Sequence, residues 1–140
     1  MFKFLLVADT ESVTAELGSA LGPLASEIIE VADGRLVRGA VESYNPDLVV
    51  LDMQVSSMGG MAICLDLRLE ESGGRLPHVN VLMLTDRRAD VFLARRSGAE
   101  GYLVKPLDPI RIRKAAKLIL GGGRYDDPSY APTDTTPARL

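Results

Sequence analysis

Five short apolar runs, at about Lys3 to Ala8, Glu27 to Val31, Leu48 to Leu51, Asn80 to Leu84 and Gly101 to Val104, alternate with longer amphipathic stretches. Those stretches lie at about Glu11 to Leu21, Gly34 to Tyr44, Gly60 to Glu71, Ala89 to Ser97 and Pro109 to Leu120. Runs of about five to six residues suit buried strands, and helix-length stretches between them make repeated β-α units with a parallel sheet. In the last stretch Ile110, Ala115, Leu118 and Ile119 are read as one apolar face, with Arg111, Arg113, Lys114 and Lys117 around the rest. Pro109 suits a first helical turn and Gly121-Gly122-Gly123 a helix end. Cys64 is placed on an apolar helix face with Met61 and Leu65, buried and inert.

The chain has 140 residues and 46% apolar content, enough for one core. We divide it into one domain over 1–122 and a mobile tail or linker over 123–140, where aliphatic residues thin out and periodicity is lost. A net charge of -3 argues against direct nucleic-acid binding. Cys64 is the only cysteine, so no intrachain disulfide can form and a reducing compartment is expected. The start Met1-Phe2-Lys3-Phe4 lacks a cleavable signal layout, and no apolar run approaches membrane-spanning length. The expectation is a cytoplasmic protein with no membrane association. With no patterned segment after residue 123, a complete chain is expected to act by protein contact, whereas a piece of a longer protein need not.

Chemistry is expected where the strands end, because ligands of open parallel sheets collect at the carboxyl edge. The first run delivers Asp9, the third Asp52, the fourth Thr85, and the fifth Lys105-Pro106. Asp52 by itself reads as a turn or cap residue. Asp, Asp, Thr and Lys, each just after its own apolar run and in that order, resemble the receiver domain of two-component response regulators, over about residues 2 to 121. The resemblance implies a flavodoxin-like strand order 2-1-3-4-5 with helices on both faces. It also implies Asp52 as phosphoacceptor from a sensor histidine kinase or phosphotransfer protein, and Lys105 and Thr85 as ligands of the phosphoryl group. Asp9, Asp52 and the backbone carbonyl of Gln54 would hold Mg²⁺, and Lys105-Pro106 would be a cis peptide. Thr85 and Tyr102 would switch together, with Thr85 also capping the fourth helix and Asp9 the first. A downstream partner, or a second copy, would dock on the face between the fourth and fifth helices, near Arg87-Arg88, Arg95-Arg96, Arg111 and Arg113.

The match has departures. Receivers usually carry two adjacent acids after the first strand, and here the first is Ala8. The loop Met53-Gln54-Val55-Ser56-Ser57-Met58-Gly59-Gly60 lacks the usual proline at Ser56, which gives its backbone more freedom. Gln54 and Arg87 hold the two variable positions that, in receivers, flank the path of a hydrolytic water, and the resemblance implies that these long side chains could shield an acyl phosphate. His78, the only histidine, is read as a surface residue. Two other readings stand beside the phosphoacceptor: a pseudo-receiver that binds partners without phosphorylation, and an aspartate-nucleophile phosphatase. The last requires an acid two residues after Asp52, where this chain has Gln54. The expected module accepts a phosphoryl group without being a dedicated enzyme.

In receivers the first acid of the pair works through metal-bound water, so the resemblance implies that Ala8 weakens Mg²⁺ binding by about 10 to 100-fold. Ala8 also removes a like charge worth roughly 3 to 4 kcal/mol of repulsion at an effective dielectric of 20. Ala8→Asp should therefore tighten Mg²⁺ and lower the melting temperature of the metal-free protein. Calorimetry with and without Mg²⁺ checks both, and no change in either would refute the account.

Overall fold

A computed structural model describes residues 1–55 and 58–128, with the backbone alone at 88 and 89. The strands are β1 (Phe2–Val7), β2 (Ala25–Val31), β3 (Leu48–Asp52), β4 (Asn80–Thr85), β5 (Gly101–Val104) and β6 (Tyr125–Asp126). The helices are α1 (Glu11–Leu21), α2 (Val37–Tyr44), α3 (Gly60–Ser72), α4 (Arg88–Arg96) and α5 (Pro109–Leu120). Strand order is β2-β1-β3-β4-β5-β6 and every pair is parallel. The doubly wound sheet is the expected one with a sixth strand added.

Successive strand residues face opposite sides, so a strand covered on both faces must be apolar throughout. Phe4 to Val7 of β1 and Leu48 to Leu51 of β3 meet this requirement. Leu5, Val7, Val49 and Leu51 pack with Val37, Val41, Ile63, Leu67, Val91 and Ala94 of α2, α3 and α4. Phe4, Leu6, Leu48 and Val50 pack on the other side with Val13, Leu17, Ile112, Ala115 and Ile119 of α1 and α5. Burial of one such side chain contributes about 1.5 to 3 kcal/mol, so these two layers are the main source of stability.

Two helix faces differ from the sequence reading. On α5 the buried residues are Ile112, Ala115, Ala116 and Ile119, whereas Ile110 is 71% exposed and Leu118 44%. Ile110 and Ala115 are five residues apart, which at 3.6 residues per turn separates them by about 140°; the observed set follows the i, i+3, i+4, i+7 spacing of a single face. On α3, Cys64 is buried with Ile63 and Leu67, while Leu65 turns to solvent. The Cys64 thiol donates to the Ser97 carbonyl at 3.3 Å, and burial pushes its pKa up, keeping it in the unreactive protonated form.

The start of the expected tail is part of the fold. Gly122, at φ 93°, supplies the left-handed turn after α5, and Tyr125–Asp126 then adds to the edge of β5 with Gly101 opposite Tyr125 and Tyr102 opposite Asp126. Tyr125 is buried beside Ile119, and Asp127 is fully buried. A two-residue strand is too short to show periodicity, which is why the pattern reads as tail. The rest of that expected tail, 129–140, lies outside the described residues.

Gly101 makes the sixth strand possible, because a Cβ there would lie 2.7 Å from the Tyr125 carbonyl oxygen and 3.1 Å from its Cβ. Gly101→Val should expel β6 and destabilise the protein by roughly 1 to 3 kcal/mol, the usual cost of overpacking. Urea unfolding together with exchange of the Tyr125 amide proton checks this; an unchanged midpoint with Tyr125 still protected would contradict it.

Candidate functional site

Register brings the strand ends together. Val7 pairs with Leu51, Asp52 with Leu84, and Thr85 with Val104, so Asp9, Asp52, Thr85 and Lys105 all emerge at one edge. Asp52 is almost fully buried, and its Oδ1 accepts the backbone N–H of Gln54 at 3.0 Å. The Lys105 ammonium donates to both Asp52 oxygens, at 3.1 and 3.0 Å. The Lys105-Pro106 peptide is cis.

Asp86 is a site residue that the sequence reading missed. Its Oδ1 lies 3.0 Å from Lys105 Nζ, so one ammonium bridges a buried carboxylate and a partly exposed one. Its position directly after Thr85 was the available signal. Burial works against the Lys105 charge, yet the hydrogen bonds and charges of Asp86 and Asp52 outweigh it and hold the pKa above its ordinary 10.5.

Other expected residues lie close by with different partners. Thr85 is fully buried and donates its hydroxyl to the Leu103 carbonyl at 3.2 Å, toward β5. It does not cap α4: the N-cap residue is Arg87, whose backbone N–H donates to Asp90 at 3.2 Å. Tyr102 is buried with its ring inside, and its hydroxyl is the one buried side-chain polar atom without a hydrogen-bond partner among the described residues. Burial raises its pKa. Asp9 is exposed and lines a cleft of about 500 Å³ with Ala8, Glu11, Thr14, Glu30 and Val31. The cap position of α1 falls to Thr10 instead of Asp9. Ala8 packs in the α1 and α5 layer with 5% exposure, so an acid placed there would also lose hydration.

Around the rim, Gln54 is exposed, and the Arg87 guanidinium donates to Asp90 at 3.1 Å. The loop position Ser56 lies outside the described residues. His78 is at the surface, with Nδ1 3.0 Å from Glu71 and Nε2 3.2 Å from Glu100. Arg111 is not a free docking charge: it pairs with Asp108 and Asp127. On α4, Phe92 is 64% exposed with Arg96 stacked 5.5 Å from its ring centroid. No helix among the described residues is long and apolar enough to cross a membrane.

Comparison with known proteins identifies the family. Residues 4–117 match the family described as response regulator receiver domain. The chain belongs to that family. It is 32% identical over 129 residues to the alkaline phosphatase synthesis transcriptional regulatory protein PhoP of Bacillus subtilis, covering 91% of this chain and 52% of that protein. It is also 32% identical over 146 residues to the DNA-binding response regulator MtrA of Mycolicibacterium smegmatis, covering 94% of this chain and 61% of that one. The receiver thus spans about half the length of the curated relatives it matches. In fold it resembles the crystal structure of a LuxR-family response regulator from an Aurantimonas species, with a TM-score of 0.79, 24% identity, and 93% and 92% of the two chains covered. This receiver is a phosphoacceptor module of two-component signalling and not a dedicated enzyme.

The raised Lys105 pKa fixes the sign of a pH effect. A cation whose pKa rises on folding stabilises the native state below its unfolded pKa, and that contribution is lost as pH climbs through the folded value. Unfolding free energy should therefore fall above about pH 10.5 more steeply in the wild type than in Lys105→Met. Parallel slopes in urea titrations from pH 8 to 12 would contradict the assignment.

Proposed function

We propose that Asp52 is the residue phosphorylated, by a histidine kinase or phosphotransfer protein, and that Lys105 is the cation that stabilises the product. The observation that carries this is the Lys105 ammonium held on both oxygens of a buried carboxylate at a strand end. A carboxylate oxygen of Asp52 would form the new O–P bond while the donor histidine's N–P bond breaks in line; the imidazole nitrogen leaves with the bonding pair and takes a proton from solvent. Charge stabilisation and positioning dominate such transfers. Lys105 would move from the Asp52 oxygens to a phosphoryl oxygen while Asp86 retains it at the site. Thr85, now turned to the Leu103 carbonyl, would rotate to donate to a second phosphoryl oxygen. That rotation vacates space beside Leu103, and Tyr102 has reason to follow: a buried hydroxyl without a partner costs about 1 to 3 kcal/mol.

The donor chemistry suits Mg²⁺. Asp52, Asp9 and the Gln54 carbonyl would supply hard oxygen ligands from adjacent strand ends, the kind Mg²⁺ prefers. An ion with few protein ligands that keeps several waters fits such a set. When bound, Mg²⁺ would offset charge between carboxylate and phosphoryl oxygens. With Ala8 in place of an acid, its affinity is expected to be weakened. The partner face would be the α4 and α5 side, where Phe92, Leu93 and Ile110 are exposed, taking a downstream protein or a second copy. We place the protein in the cytoplasm, with no direct nucleic-acid or membrane contact by this domain.

Titration with beryllofluoride and Mg²⁺, followed by NMR shifts of Thr85 and Tyr102, tests the proposal with Asp52→Asn as control. A saturable change that requires Mg²⁺ and disappears in Asp52→Asn is expected. Silence at millimolar Mg²⁺ would favour the reading that Ala8 has made this a phosphorylation-independent interaction domain.

A further inference from the structure

The sixth strand grips the loop that carries Lys105. Buried Asp127 accepts the backbone N–H of Val104, the residue before Lys105, at 3.0 Å. Asp127 also pairs with Arg111, and Arg111 donates to the carbonyl of Pro106, the residue after Lys105. Asp108, the N-cap of α5, accepts the Arg111 Nε at 2.7 Å and fixes that side chain from below. Lys105 is therefore bracketed on both sides by one ion pair, half of which belongs to the segment after α5.

That segment is held like a bound peptide. The Tyr125 N–H donates to the Glu100 carbonyl at 3.1 Å. Its side chain fills the space opened by Gly101 against Ile119, and Asp127 enters a fully buried position. Backbone pairing, an aromatic anchor and a buried charge are the features of strand addition to a sheet edge.

We propose that the β5 edge is a binding site for this chain's own segment Tyr125 to Asp127, and that Asp127 and Arg111 are positioning residues that set Lys105 against Asp52. Attachment of the segment and the state of Asp52 are then linked, because each changes the free energy of the same loop, and such coupling is reciprocal. A phosphoryl group that draws Lys105 forward strains the Val104 and Pro106 contacts and loosens the segment; release of the segment frees Lys105. The phosphoryl part of this coupling rests on the function proposed above, whereas the grip on Lys105 does not.

The test uses the full chain with Asp127→Asn, with Arg111→Lys as a milder second variant and Asp126→Asn, an exposed neighbour, as control. Without any phosphate analogue, amide hydrogen exchange at Val104 and Tyr125 should accelerate by about tenfold or more in the first two, the change expected from one charge-assisted hydrogen bond. Amides of β1 and β3 should stay protected, and the Lys105 side-chain NMR signals should move toward those of a solvated lysine. Unchanged Val104 exchange and Lys105 signals in both variants would overturn the proposal. Beryllofluoride with Mg²⁺ should then speed Tyr125 exchange in the wild type. Failure of the analogue to bind wild type would count against the phosphoacceptor function alone; binding without a change at Tyr125 would overturn the coupling.

Discussion

All strands of the sheet run in the same direction, and the site depends on that constraint. Parallel strands demand a crossover between each pair, which covers both faces with helices and gathers every strand's carboxyl end at one edge. Asp9, Asp52, Thr85 and Lys105 are far apart in the chain and meet because Val7 is level with Leu51, Asp52 with Leu84 and Thr85 with Val104. A slip of one residue in any of these registers would turn a functional side chain to the opposite face and expose an apolar one. The apolar cores therefore enforce the geometry of the polar edge.

Within that edge the dominant interaction is the Lys105 ammonium between Asp52 and Asp86. Asp52 is withdrawn from water, and a buried carboxylate without a cation is costly, so the lysine stabilises the arrangement seen here. Asp86 makes the arrangement asymmetric. It is partly exposed, so one ammonium joins a carboxylate withdrawn from water to one that remains hydrated.

The strands and their terminal residues were legible because each is a local pattern: an apolar run, then one polar residue at its end. Asp52, Lys105 and the order of the five main strands follow from such patterns and from resemblance to receivers. The Lys105 to Asp86 contact was not legible, since Asp86 looks like an ordinary helix-start residue until β4 and β5 are side by side. The α5 face was misread because Ile110 is apolar but lies in the first turn, angled away from the sheet. Thr85 and Asp9 resembled caps, yet the helices begin one or two residues later. The sixth strand escaped because its support, from Gly101, Arg111 and the Val104 amide, lies 16 or more residues upstream at the closest, Arg111 to Asp127, and leaves no periodic trace in Arg124-Tyr125-Asp126-Asp127.

The parallel sense of β6 determines where the chain is heading. α5 runs back toward the amino edge of the sheet, and a chain released there would depart from the side opposite Asp52. Because Tyr125–Asp126 pairs in parallel with β5, the backbone is instead turned around and carried toward the carboxyl edge by the time it reaches Pro128. Any segment continuing past Pro128 would start near the edge where Asp52 and Lys105 lie, and tether length and anchor position would set the local concentration at which it meets them.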